Sequence, residues 1–295
     1  MQEIRKSKAR IVLVASLCLV MLLSLVACGS SNSNSSSGAS EVQIAVPSDT
    51  TNEARALLLL EEQGLIKLTE GVGLKATAND IIDNPYNIKI VETEAASLPR
   101  TLQDVDMAVI NGNYALSGGI DPESALAGED ASSDAAIEYA NVIAVRADDM
   151  GSEKTKVLVE VLQSDEVKKF ITDSYNGAVV PVDVAALPVS DGTSSDDKVI
   201  KVGASPAPHA EILAFAKDLI KERGYTLEIV EFSDYVQPNV ALNDGELDAN
   251  YFQHYPYLEE YNNENGTTLA SAAKIHFEPL CLYPGKIASI DDLKK

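Results

Sequence analysis

Tryptophan is absent from this chain of 295 residues, and phenylalanine and tyrosine together make up only 5% of it. A local concentration of rings is therefore informative, because so few are available to fill a core. Cysteine is almost as scarce, at three residues. Basic side chains number 23 against 45 acidic ones, a net charge of −22, which excludes nucleic acid as a partner, since phosphate binding needs a basic face. The common catalytic signatures are also missing: there is no P-loop, GxSxG, HExxH or CxxC. GVGLKA at 71–76 is not GxGxxG and does not lie between a strand and a helix. His209, His254 and His276 are far apart and have no short-range partners, so no metal centre is expected and no cofactor is implied. These absences favour a binding protein over an enzyme.

Only one apolar run, residues 11–27, is long enough to enter a bilayer. It follows Arg5, Lys6, Lys8 and Arg10 and ends in LVAC at 25–28, the pattern of a secretory signal with a lipobox. Residues 1–27 are expected to be removed and Cys28 to carry lipid, the other reading being an uncleaved anchor. The tract at 28–40, GSSNSNSSSGAS after the cysteine, is too polar to bury anything and reads as a flexible tether. Loss of the signal removes Cys18, leaving Cys28 and Cys281, so no disulfide is expected in the mature chain. It also takes the net charge to about −25. Roughly 250 remaining residues bury a core without a covalent staple.

From Glu41 onward, short apolar runs alternate with helical periodicity, which predicts an α/β architecture. Strands are expected at 42–47, 87–93, 105–110 and 140–146, and helices at 52–63, 95–104 and 154–176. VSDGTSSDD at 189–197 reads as a linker. A second series follows, with a strand at 199–205, an amphipathic helix stopped by Gly224, a strand at 227–232 and a helix at 237–249. No internal repeat is visible in the sequence.

Two features suggest a ligand. Arg55 is expected in the first turn of a helix starting near Asn52, where a cation opposes the helix dipole. An anion such as a carboxylate in front of it, held also by N–H groups of the SDTTN loop, makes sense of the placement; a surface arginine paired with Glu53 or Asp49 is the alternative. The second feature is NYFQHYPYL at 250–258, which concentrates four aromatic rings and a histidine. On an extended segment Tyr251, Gln253, Tyr255 and Tyr257 share one parity and Phe252 and His254 the other, until Pro256 turns the chain. An aromatic slot suits an apolar or thioether side chain, and core packing is the alternative. Asn111, Asn113 and Asn141 sit in or directly after apolar strands, where amides either line clefts or close turns.

KVGASPAPHAEIL, EFSDYVQPNVALNDGELDANYFQHYPYLEEYN, LYPGKI, IAVPSDTTNEARALLLL, AVINGNYAL and QSDEVKKFITDSYNGAVVP together resemble the methionine-binding lipoproteins of bacterial ABC importers, the NlpA or MetQ type. The resemblance covers nearly all of the chain after the tether. It implies a two-lobed periplasmic-binding-protein (type II) fold, with one lobe at 41–138 plus about 288–295 and the other at 139–287, containing a linker at 184–197. Tyr235, Phe252, His254 and Tyr257 would wall a side-chain pocket, Asn52 and Arg55 would hold a carboxylate, and Asn111 or Asn113 together with Asn141 would reach the polar end of the ligand. The implied partners are L-methionine or a close analogue, an ABC permease with its ATPase, and the membrane through the lipid alone. D-methionine, a methionine-containing dipeptide, another apolar amino acid, or a surface adhesion role are the alternatives. Two departures stand out. The block order reads as circularly permuted relative to that family, since DDLKK at the end reads without a gap into GASEVQIAVPSD, and Cys281 stands where the resemblance implies a small residue.

Overall fold

The computed structural model describes residues 41–132, 134–184 and 197–293. The signal, the tether with Cys28 and most of the linker lie outside them. In chain order the elements are β1 (Val42–Pro47), α1 (Thr50–Glu62), the short strands β2 (Lys67–Leu68) and β3 (Ile81–Asp83), β4 (Ile88–Thr93), α2 (Leu98–Thr101), β5 (Met107–Ile110), α3 (Gly112–Ser117) and β6 (Ala127–Gly128). Then come α4 (Asp134–Glu138), β7 (Asn141–Arg146), α5 (Glu153–Leu162), α6 (Asp165–Tyr175), β8 (Val180–Pro181) and β9 (Val199–Ala204). The chain continues through α7 (Glu211–Glu222), β10 (Thr226–Glu231), α8 (Gln237–Asn243), β11 (Ala249–His254), α9 (Tyr255–Asn265), β12 (Leu269–Phe277) and β13 (Cys281–Pro284).

These elements form two lobes, each around its own sheet. The first sheet has the order β4-β1-β5-β13-β6 and the second β10-β9-β11-β7-β12-β8. In each, three parallel strands run second, first, third, and an antiparallel strand arriving from the other lobe docks beside the third. The chain crosses between lobes twice, between β6 and β7 and between β12 and β13. β13 therefore belongs to the first sheet, although the sequence reading carried the second lobe to residue 287. The crossing at 278–280 is three residues long and has no periodicity of its own to announce it.

Local chemistry explains most boundaries. Asp49 caps α1 by accepting from the Asn52 N–H at 3.0 Å, so the helix starts at Thr50 rather than near Asn52. Leu57, Leu59 and Leu60 of α1 are buried in the first lobe against Ile44 and Val46, each contributing about 1.5–3 kcal/mol by leaving water. The run read as one helix at 154–176 is two: Ser164 accepts from the Val167 N–H and starts α6 afresh. After β5 the chain does not close a turn at the asparagines but starts α3 at Gly112. α8 stops at Asn243, short of the expected 249, because Gly245 takes φ +80° and turns the chain into β11. Cys281 packs in β13, where burial pushes its thiol up to about 11 and leaves it protonated and unreactive at neutral pH. Among the described residues no helix is long and apolar enough to cross a membrane.

Candidate functional site

All nine residues singled out in the sequence line one cavity between the lobes: Asn52, Arg55, Asn111, Asn113, Asn141, Tyr235, Phe252, His254 and Tyr257. Gly112, Tyr139, Gln253 and Glu278 complete its wall.

The first lobe supplies a polar side built on the ends of β1 and β5. Asn52, in the first turn of α1, is oriented by Asp49, which accepts its side-chain N–H at 2.7 Å. Its Oδ1 then accepts from Asn111 Nδ2 at 2.8 Å, Arg55 Nη1 at 3.2 Å and, from the other lobe, His254 Nε2 at 3.2 Å. Arg55 lies in the second turn, beyond the reach of the helix-end field, so the dipole argument for it does not apply. What holds this buried cation is Glu129, in the first crossing segment, which accepts from Nε at 3.0 Å and Nη2 at 2.6 Å. Neither of the pairings considered from sequence, with Glu53 or Asp49, forms. The guanidinium also lies over the Tyr139 ring at 4.2 Å, and further N–H groups on Nη1 and Nη2 remain for a ligand.

The second lobe supplies the aromatic side. Alternation along NYFQHYPYL fails for two reasons: a bulge falls between Tyr251 and Gln253 in the pairing of β11 with β7, and Pro256 opens α9 rather than a turn. Phe252, Gln253, His254 and Tyr257 consequently all reach the cavity, Tyr251 turns into the core and Tyr255 is exposed. Tyr235 stands 5.8 Å from both Phe252 and Tyr257, centroid to centroid, and its hydroxyl donates across the cleft to Asn113 Oδ1 at 2.6 Å. His254 Nδ1 accepts from the Tyr257 backbone N–H at 3.3 Å. Burial, with Arg55 adding, lowers its proton affinity well below the usual range, so the ring is neutral and Nε2 carries the proton given to Asn52.

Sequence separation hid the cluster at the back of the cavity. His209 and His276, read as isolated, converge with Glu278, and all three are buried. His276 Nε2 lies 2.7 Å from Glu278 Oε1, and His209 Nε2 lies 3.0 Å from Asn141 Oδ1 and 3.4 Å from Glu278 Oε1. The 2.7 Å spacing is that of a hydrogen bond and is too short for two ligands across a zinc ion, each of which stands about 2.0–2.2 Å from the metal in tetrahedral geometry. Burial raises the Glu278 carboxyl to about 7, against the opposing effects of His209, Arg55 and the Asn113 backbone N–H. Burial lowers both His209 and His276 to about 3.

These shifts predict how stability depends on pH. The unfolded chain protonates both histidines below 6.5 and the folded chain only near 3, so their contribution is present above 6.5 and lost on acidification. Glu278, raised from 4.5, contributes stability that is present below 4.5 and lost as the pH rises through about 7. Between 6.5 and 4.5 the two rings outweigh the one carboxyl, and the melting temperature is expected to fall as the pH is lowered. Thermal melts across that window check this, and a His209→Gln/His276→Gln variant, left with the carboxyl's contribution alone, is expected to reverse the slope; an unchanged slope assigns acid lability elsewhere.

Glu278, Tyr139 and Glu129 were missed because no periodicity marks the crossing segments that carry them; a charged residue between an apolar strand and a proline is the only local sign of Glu278. Gly112 was visible only as the glycine between two chosen asparagines. A Cβ there would stand 2.8 Å from both Cβ and Oε2 of Glu278, so the glycine lets the start of α3 lie against the second crossing.

The family model described as NlpA lipoprotein matches residues 13–183 and 200–295. The D-methionine-binding lipoprotein MetQ of Salmonella typhimurium is 46% identical over 141 residues, 47% of this chain and 51% of that protein. Among solved structures, a lipoprotein from Ruminococcus gnavus is 50% identical over 50% of this chain and 61% of its own, with a TM-score of 0.48. A nutrient-binding protein from Burkholderia cenocepacia, solved bound to methionine, is 50% identical over 47% of this chain and 58% of its own, with a TM-score of 0.44. The chain spans about half the length of the curated relatives it matches. With the family model covering most of the chain on both sides of the linker, the protein belongs to the NlpA lipoprotein family.

Proposed function

We propose that this protein captures methionine between its two lobes and delivers it to the permease and ATPase of an ABC importer, without chemistry of its own. The observation that carries the reading is the pattern of unsatisfied groups. Buried polar atoms are almost always paired, yet three side chains lining the cavity keep such an atom free: the acceptors Asn111 Oδ1 and Glu278 Oε2, and the donor Asn113 Nδ2. The acceptors suit an ammonium. Asn113 Nδ2 and the spare N–H groups of Arg55 suit a carboxylate. The rings of Tyr235, Phe252 and Tyr257 suit an apolar side chain, with sulfur against a ring worth about 0.3–1.5 kcal/mol. An α-amino acid with a thioether side chain has all three parts, and two similar proteins carry methionine in their descriptions.

Interlobe hydrogen bonds from Tyr235 to Asn113, from His254 to Asn52 and from Thr51 to Glu260 require the lobes to be together. Ligand capture would bias a hinge at the two crossings toward that arrangement. The signal pattern and Cys28 support a position on the extracytoplasmic face of the membrane, held by lipid. The block order is read as a circular permutation: the family match breaks at the linker, and Leu293 packs in the same cluster as Val42.

Isothermal titration of the purified protein with L-methionine, D-methionine, a methionine dipeptide and other apolar amino acids tests the reading. Selective binding of a methionine form supports it. Absence of heat with every ligand, from a chain shown folded by circular dichroism, removes it.

A further inference from the structure

Behind Glu278 a chain of buried groups extends away from the cavity. The Tyr251 hydroxyl hydrogen-bonds Nδ1 of His276, and Nε2 of His276 lies 2.7 Å from Glu278 Oε1. Tyr251 and His276 are fully buried and Glu278 is 7% exposed. Neither Tyr251 nor His276 lines the cavity, so neither touches a ligand there. From this geometry we infer that His276 and Tyr251 are positioning residues that set the charge state of Glu278 and aim its Oε2 into the cavity. This rests on the reading of Glu278 as an ammonium acceptor.

The proton positions follow from what each group can do. An ionised carboxylate only accepts, so Nε2 of His276 must carry the proton; Nδ1 is then bare and accepts from the Tyr251 hydroxyl. With Oε1 engaged, Oε2 is the oxygen left free. If Glu278 takes up a proton, every bond in the chain can reverse: the carboxyl donates to Nε2, and the proton on Nδ1 is given to the tyrosine oxygen. Both links persist in either state, but after the reversal the buried Tyr251 O–H no longer has Nδ1 as its acceptor, a cost that opposes protonation of Glu278. The ionised form is favoured by the link, because a hydrogen bond to a charged acceptor is the stronger one. The other titratable or charged groups that act on Glu278 are His209 from the turn before α7, Arg55 from α1, Tyr175 from α6 and Tyr235 from the loop before α8, and the neutral donors are the Asn113 backbone N–H and, at 3.4 Å from Oε1, Asn141 Nδ2. Tyr175 and Tyr235 are neutral near pH 7, each held up by burial. His209 is neutral as well, held down by burial, and its Nε2 is shared between Asn141 and Glu278. Arg55 is committed to Glu129 and Asn52. His276 is therefore the neighbour whose removal changes Glu278 most directly. An ammonium beside Oε2 requires the carboxylate, so binding should weaken as the pH falls through the Glu278 midpoint.

Two readouts test the inference. The carboxyl 13C signal of Glu278, assigned by its loss in Glu278→Gln, is titrated in the ligand-free protein. The wild type is expected to titrate near 7. His276→Leu, which removes the donor, is expected to raise the midpoint by about one unit or more, and His276→Gln, whose amide replaces the Nε2 donor, to restore it. Tyr251→Phe is expected to produce a smaller rise. The same midpoint in folded His276→Leu and His276→Gln overturns the inference; if His276→Leu does not fold, an unchanged midpoint in Tyr251→Phe does so. The second readout is affinity for L-methionine and for its deaminated analogue between pH 5.5 and 8.5. The acid limb for methionine is expected to move with the midpoint, about tenfold in affinity per unit, and the analogue to show none. A wild-type chain that ignores methionine while the NMR midpoint still shifts in His276→Leu rejects the proposed ligand and leaves the positioning role standing.

Discussion

Arg55→Ala is expected to weaken methionine binding by more than about a hundredfold, or ~3 kcal/mol. Among the described residues the guanidinium is the only cation on the cavity wall, and a ligand carboxylate entering this buried space has no other positive charge to meet. The substitution also costs stability, since it leaves Glu129 with its partner gone; breaking a buried pair costs about 3–5 kcal/mol. The two effects separate experimentally. An Arg55→Ala/Glu129→Gln variant removes the orphaned charge and is expected to recover much of the melting temperature but none of the affinity. Isothermal titration of both variants checks this, and unchanged affinity in Arg55→Ala removes the residue from the site. Glu129 also accepts the Leu280 backbone N–H at 2.9 Å, so a single carboxylate ties Arg55 to both crossing segments.

Gly285→Ala is expected to destabilise the fold by about 3 kcal/mol, lowering the melting temperature by roughly 6–12 °C for a chain of this size. Gly285 follows β13 in the LYPGKI block, where the chain runs against the loop before β5. Its N–H donates to Asp106 O at 3.0 Å, and the next two residues donate to Val105 O and Asp106 O at 3.0 and 3.1 Å. A Cβ would meet the Val105 carbonyl oxygen closer still than it meets those of Leu102, at 2.7 Å, and Asp106, at 3.0 Å. These are backbone atoms, and those of Val105 and Asp106 are clamped by the same hydrogen bonds, which leaves little room to move. Calorimetry of the variant checks the prediction; a melting temperature within a degree or two of the wild type would mean that the loop yields.

Much of the site was legible residue by residue. Arg55 and Asn52 stood out near a helix start, the asparagines at strand ends, and Phe252, His254 and Tyr257 as part of a dense aromatic run in a chain poor in rings. The reasons attached to them fared less well. Arg55 was read as a cation set against a helix dipole, whereas Asp49 starts the helix early and Glu129, 74 residues away, neutralises the charge. Alternation was read along NYFQHYPYL, whereas a bulge and a helix start rotate Phe252, Gln253, His254 and Tyr257 toward one cavity. The three histidines were read as unconnected, whereas β12 and the turn before α7 place two of them against one carboxylate.

The sequence by itself determined the acidic surface, the α/β alternation, and the strands and helices whose boundaries follow from caps and glycines a few residues away. Such signals are local: a hydrophobic period, an N-cap or a positive φ acts within a turn or two of chain, and one strand of sequence suffices to show it. Only the tertiary structure decided the shared strand order of the two sheets, which no repeat in the sequence announces, and the partners of the buried charges. Arg55 with Glu129, His209 with Asn141, and Tyr251 with His276 meet across 74, 68 and 25 residues of chain. A charge removed from water must find its counterpart wherever the fold brings one within about 3 Å, and chain separation carries no record of that distance.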